Sequence, residues 1–347
     1  MKIIVTANIV PFMPGGADYH ITGVAEQLRA HGHEVELLRF PFKFSPVSDI
    51  RRMMAFTEST ELNIPNGVSV DKVISLQFPS YGVQHDDHRV WLMHQHRAVY
   101  ELYEAAKADA ELNSLKEEII QFDNQHLASA KKLFANSQRV AQRLKEFNGI
   151  DSQALYHPPH SAEQFYCDEP LDYLFCPSRL ESLKRQELII RAAQYVKSPV
   201  QLIIAGEGGQ RYFYESLIAQ LDVSDKVQLT GRFTEAEKRV FYARSLGVVF
   251  VPKDEDYGYI TLEAMLSSKP VVAMTWKESQ KESNVLSLPK KPCNAATSGS
   301  DAPSPPAFPA FKAILQTSPK RSVKPVKNTA KAMNGNHKLL EMRFSTS

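Results

Sequence analysis

The chain is 347 residues long, 43% hydrophobic and 23% charged, with a formal net charge of +2 at pH 7. That length suits two domains of ordinary size, and that composition suits a globular protein. Three cysteines without close pairs (Cys167, Cys176 and Cys293) argue against a disulfide scaffold or zinc site and for a reducing compartment. No apolar run approaches the roughly 18–20 residues of a membrane span, so the cytoplasm is the expected location.

In chain order, Lys2–Ala7 reads as a strand. The opening apolar run is short and broken by Asn8 and Pro11, which fits a first strand better than a signal peptide. A loop then ends in Gly15-Gly16. Ile21, Val24, Ala25 and Leu28 fall at i, i+3, i+4 and i+7 and predict a helix stopped by Gly32. Glu34–Phe40 is the second strand. The glycines let a ligand approach the backbone closely, or simply make a tight turn. A helix over Asp49–Thr57 and a strand over Lys72–Leu76 follow, then a strand over Val90–Met93.

That last strand runs into His94-Gln95-His96-Arg97. Histidines at the carboxyl end of a strand are placed for function in a doubly wound domain, although one histidine there also serves as a helix cap. No third histidine or acid stands at ligand spacing, which argues against a metal. Leu115–Lys132 predicts a helix and Leu133–Ala135 a strand. Asn136-Ser137 caps a further helix to Phe147, stopped by Asn148-Gly149. An extended segment then enters turn-like composition over 157–170, where the domain boundary belongs.

A second βα series begins at Tyr173. Strands are predicted over Tyr173–Cys176, Val200–Ala205, Val227–Thr230 and Gly247–Val251, with helices between. Thr234 and Glu237 form a capping box for the helix that runs to Ser245. Alternating strands and helices mean parallel sheets, so the fold class is α/β. Arg179 and Lys184 stand on the loop after the first of these strands. After the Gly247–Val251 strand come Glu255, Tyr257-Gly258-Tyr259 and Glu263, two carboxylates eight positions apart with a glycine to open a helix between them. Off the carboxyl end of a strand, free helix N–H groups hold an anion and the carboxylates accept from hydroxyls, the chemistry of a sugar nucleotide. Acids are also favoured in any first helical turn, which is the plainer account of the two glutamates.

The glutamate pair followed by Ala264-Met265-Leu266 and Lys269-Pro270-Val271-Val272 resembles the nucleotide-sugar site of the retaining glycosyltransferases of family 4. His94-Gln95-His96-Arg97 and Tyr100 are similar to the signature of one subgroup. The likeness covers residues 1 to about 273. It implies the GT-B fold, two Rossmann-like doubly wound domains facing a cleft, here 1–158 and an incomplete 171–273. It further implies sugar transfer from a nucleotide donor to a saccharide, lipid-linked or other hydroxyl acceptor, with retention of configuration and without metal or cofactor.

Residue by residue, Arg179 and Lys184 would hold the diphosphate, and Glu255 the sugar hydroxyls. Glu263 would hold the ribose, with Tyr257, Gly258 and Tyr259 lining the donor site. His94 would bond a sugar hydroxyl as a neutral donor on the reacting face, favoured over His96. Gly15 and Gly16 would admit acceptor and phosphates. Rival α/β classes fail on detail: the dinucleotide glycine fingerprint, the phosphate-loop lysine and the nucleophile elbow are all missing.

The pattern breaks after Ala273. Residues 277–347 carry 12 Lys+Arg against 4 Asp+Glu, while the preceding 276 carry 29 against 35. With 8 prolines in those 71 residues and no sustained period, the segment reads as a disordered tail. Either translation leaves frame near Ala273, or the tail is an evolved basic segment that binds an anionic surface. No nucleic-acid partner is expected on the first account, and a peripheral membrane contact stays open. The alternative functions are a non-catalytic nucleotide-sugar-binding remnant and a nucleic-acid binder acting through the tail.

Overall fold

The computed structural model describes residues 1–12 and 15–273. The expectations placed on 277–347, and on a break just after Ala273, lie outside the described residues. The chain divides into two compact units, one spanning Met1–His160 and the other beginning at Ser161.

The first unit has a six-stranded, wholly parallel sheet. Its strands are β1 (Lys2–Ile9), β2 (Glu34–Pro41), β3 (Lys72–Ser75), β4 (His88–Leu92), β5 (Lys132–Ala135) and β6 (Gln153–Ala154), in the order β2-β1-β3-β4-β5-β6. Every residue of β3 and β4 is buried, as expected of parallel strands covered on both faces. The helices are α1 (Gly16–Ala30), α2 (Val47–Glu58), α3 (Ala110–Ser129) and α4 (Gln138–Asn148). Ile50, Ile119, Phe122 and Leu144 from the last three close one core against Val90, Leu92 and Ala135.

The helix expected from Leu115 starts at Ala110 instead. The Asp109 carboxylate accepts from the Leu112 N–H at 2.8 Å, and Ala110, Glu111 and Asn113 of the first turn are exposed, which leaves little apolar period to read there. The two-residue β6 was not foreseen, because so short a strand has no period either.

The second unit has a five-stranded parallel sheet. Its strands are β7 (Tyr173–Pro177), β8 (Gln201–Ala205), β9 (Val227–Gly231), β10 (Gly247–Phe250) and β11 (Val271–Ala273), in the order β11-β10-β7-β8-β9. The helices are α5 (Gln186–Ala193), α6 (Arg211–Gln220), α7 (Glu235–Arg244) and α8 (Tyr259–Leu266). Side chains alternate across the strands. Tyr173 and Phe175 pack with Val240, Phe241 and Ala264 of α7 and α8, whereas Leu174 and Cys176 pack with Ile190, Tyr214 and Leu217 of α5 and α6. The sheet is therefore doubly wound. From central β7 the chain adds β8 and β9 on one side, then returns to add β10 on the other. The order reverses at β7, and the loops leaving β7 and β10 come together at the carboxyl end of the sheet, where such folds bind ligands.

Candidate functional site

The loop leaving β7 is held by backbone bonds to its neighbour. Ser178 N–H donates to the Ala205 carbonyl at 2.9 Å, Leu180 N–H to Glu207 at 3.0 Å, and Gln210 N–H back to Leu180 at 2.9 Å. This zipper needs glycine: a Cβ on Gly206, at φ +146°, would lie 2.0 Å from the Ser178 carbonyl oxygen, and one on Gly208 2.4 Å from that of Leu180. The Gly206–Gly209 turn thus shapes the neighbouring loop. The buried Gln186 donates to the Arg179 carbonyl at 2.9 Å and accepts from the Tyr214 hydroxyl at 3.0 Å, so the backbone at 179 is clamped while the Arg179 side chain is exposed.

Across the switch point, Lys253 N–H donates to the Leu183 carbonyl at 2.8 Å. Lys184 Nζ meets Glu255 at 2.7 Å, with 23% and 27% of the two side chains exposed. Two residues 71 positions apart, both expected at one site, are therefore brought together. Gly258 has φ +78° and ψ +46° and caps α8, which suits a residue without a Cβ. The Tyr257 and Tyr259 rings flank it, their centroids 4.8 Å apart.

Glu263, the fifth residue of α8, is buried. Lys238 Nζ pairs with Oε1 at 2.8 Å, and the Tyr242 hydroxyl donates to Oε2 at 2.8 Å. Burial pushes the Glu263 carboxyl up, against the opposing pull of the Lys238 charge. Burial, and then the carboxylate beside it, push the Tyr242 hydroxyl well above its ordinary value. Neither Lys238 nor Tyr242 was anticipated. The legible signal is a lysine four positions before Tyr242, on the same helix face as buried Phe241. A lysine facing a core requires a buried acid.

In the first unit, His94 lies half-buried just past β4, and its Nδ1 is 2.7 Å from the Gln95 carbonyl. A carbonyl only accepts, so the proton sits on Nδ1, and in the neutral ring Nε2 is an acceptor. In that tautomer the ring offers Nε2 to a hydroxyl as an acceptor. His96 is buried against Phe42 and Phe78, and burial lowers it to about 4. Gly15 precedes α1 with φ −160°, extended backbone open to any residue, and its N–H donates to Asp18 at 2.9 Å. Asp18 also pairs with Arg39 at 2.6 Å. A Cβ on Gly15 would meet nothing within 4 Å, so the space beside it is open. Gly16 is the first residue of α1.

Two buried groups of this unit were also unforeseen. Asp123 accepts from the Tyr81 and Tyr100 hydroxyls. His20, with neither ring nitrogen partnered among the described residues, stacks on His157 at 4.0 Å. Among the described residues no group of three or more His, Cys, Asp or Glu is placed to hold a metal. No helix among them is long and apolar enough to cross a membrane.

Residues 163–285 match the family model described as glycosyl transferases group 1. That span contains Arg179, Lys184, Glu255 and Glu263 and runs 12 residues past Ala273. An uncharacterized glycosyltransferase of Methanocaldococcus jannaschii is 36% identical over 97 residues, 27% of this chain and 25% of that protein. The match thus spans a quarter of the length of that curated relative. Among solved structures, sucrose-phosphate synthase from Thermosynechococcus elongatus shares 15% identity over 79% of this chain and 81% of its own, with a TM-score of 0.61. Anabaena HepE in complex with UDP and glucose shares 16% identity over 79% and 80%, with a TM-score of 0.55. The fold is that of the GT-B proteins.

Proposed function

We propose that this chain transfers a sugar from a nucleotide-sugar donor to a hydroxyl acceptor, a saccharide or lipid-linked one, with retention of anomeric configuration. One observation carries the reading. The cationic loop after β7 and the acidic segment after β10 meet at the switch point of the sheet, joined by the Lys184–Glu255 pair at 2.7 Å. The family match over the same residues supports it, as does the likeness in fold to a protein crystallised with UDP and glucose.

In this reading the donor's diphosphate lies against Arg179 and Lys184. Arg179 offers a bidentate fork and Lys184 a compact charge. As the bond between the anomeric carbon and the diphosphate oxygen breaks, charge grows on that oxygen, and fixed cations stabilise it more than they stabilise the bound donor. Glu255 accepts from sugar hydroxyls and Glu263 from the ribose, while Tyr257, Gly258 and Tyr259 border the donor. In the first unit, taken by itself, His94 would accept a hydroxyl hydrogen through Nε2, and the open space beside Gly15 would admit a ligand. The two side-chain cations supply the charge compensation that a metal supplies elsewhere, so no metal enters the step.

The test is transfer from α-linked UDP-, ADP- and GDP-glucose to a mixture of simple saccharides, followed by the anomeric proton signal of the product. An α-linked product is expected. A β-linked product overturns retention, and binding without any transfer marks a non-catalytic nucleotide-sugar binder.

A further inference from the structure

We propose that Lys238 and Tyr242 are positioning residues for nucleotide recognition: from α7 they fix the Glu263 carboxylate on α8, each oxygen keeping a lone pair for a ribose hydroxyl. The inference rests on the donor-site reading above and names the residues through which its ribose contact works.

Both Glu263 oxygens are engaged from one side, by Lys238 at 2.8 Å and by the Tyr242 hydroxyl at 2.8 Å. A carboxylate has about four lone-pair sites, so two are used and two remain. Lys238 is itself anchored, 2.8 Å from Glu235 and 5.7 Å from the centre of the Phe165 ring. The Tyr242 ring packs edge-on against Phe175 and Phe165. A side chain held at both oxygens by two anchored partners has a single orientation and little rotamer entropy left to lose on binding.

Stability alone does not explain the arrangement. A buried ion pair stabilises little against apolar residues of similar volume. The second unit's core already joins α7 and α8 through Val240, Phe241 and Ala264. What the pair adds is a charged acceptor of fixed orientation, one turn inside the helix that opens at the switch-point loop.

The experiment measures the affinity of the full chain for UDP, ADP and GDP, takes the tightest of these, and compares it with its 2′,3′-dideoxy counterpart. The parent prefers the ribonucleotide by about 10-fold or more, the effect of hydrogen bonds to a charged group. Tyr242→Phe keeps the ring packing and loses part of that preference. Lys238→Met loses most of it, Lys238→Arg restores part of it, and inorganic pyrophosphate binds all of these alike. Should Lys238→Met fail to fold, Lys238→Met combined with Glu263→Gln leaves no buried lone charge, and folds without the preference.

A pH profile separates positioning from mere stapling. The charged and titratable groups facing Glu263 are Lys238 and Tyr242, with Glu235 behind them. Without the Lys238 charge the carboxyl takes up its proton at higher pH, so the ribonucleotide preference of Lys238→Met falls away at higher pH than the parent's. Folded variants with the parent's preference and pH profile overturn the proposal. A parent that binds the ribonucleotide and its dideoxy form equally also overturns it, while leaving the donor site standing. A parent that binds none of the three nucleotides overturns the donor reading itself.

Discussion

Glu255→Gln tests the donor site in a way that separates its two halves. Glutamine keeps the shape and the hydrogen-bonding oxygen but removes the charge that Lys184 meets at 2.7 Å. In the unliganded protein that carboxylate competes with any phosphate for Lys184 and repels it. The pair is about a quarter exposed on each side, so it is worth more than a surface pair and less than a buried one, about 0.5–1.5 kcal/mol. Free nucleoside diphosphate should therefore bind Glu255→Gln about 2- to 10-fold more tightly than the parent. The sugar nucleotide should gain less or lose affinity, because the sugar hydroxyls lose a charged acceptor. Calorimetry with both ligands on both proteins reads this as a crossing of preferences. Equal weakening of diphosphate and sugar nucleotide would place Glu255 away from the sugar and refute the assignment.

Gly206→Ala drives a Cβ to 2.0 Å from the Ser178 carbonyl and should cost about 1–3 kcal/mol in chemical denaturation and displace the Arg179 loop, whereas Gly209→Ala, with nothing within 4 Å, should be near neutral. Burial holds the Asp123 carboxyl up at about 7, so its protonated form favours the fold; that contribution is complete below the unfolded value near 4 and is lost as pH rises through about 7. Denaturation from pH 4 to 8 should show this fall, on the order of 4 kcal/mol, and Asp123→Asn should abolish it; an unchanged slope in the variant would assign the fall to other groups. Excess EDTA should leave the rate of sugar transfer unchanged, and a lost rate restored by a divalent cation would contradict charge compensation by Arg179 and Lys184 alone.

What could be read from the sequence is what local rules govern. The apolar period of α1, the Ser137 cap, the Thr234–Glu237 box and the left-handed stop at Gly149 are all decided within a few residues, and all are present. The two loops at the switch point were legible because strand ends are; the pairing of Lys184 with Glu255 across them was not. The rest lies in pairings that no local rule fixes. Lys238 and Glu263 stand 25 residues apart, Gln186 and Tyr214 28, and Tyr81 and Asp123 42. Each pairing depends on which helix face meets which, and that is settled only when the core packs. The hydrogen-bond direction of His94 was hidden for a related reason, since it depends on where the neighbouring Gln95 carbonyl points.

The most direct measurement is calorimetric titration of the parent and of Arg179→Ala with the nucleoside diphosphate that the parent prefers among UDP, ADP and GDP. The Arg179 side chain is exposed, so its removal should leave stability within about 0.5 kcal/mol, and any change in affinity reports the site and not the fold. A lost hydrogen bond to a charged diphosphate is worth about 1.5–3 kcal/mol, so affinity should fall about 10- to 150-fold. Equal affinity in the two proteins, or no binding by the parent, would contradict a diphosphate site at the β7–β10 switch point.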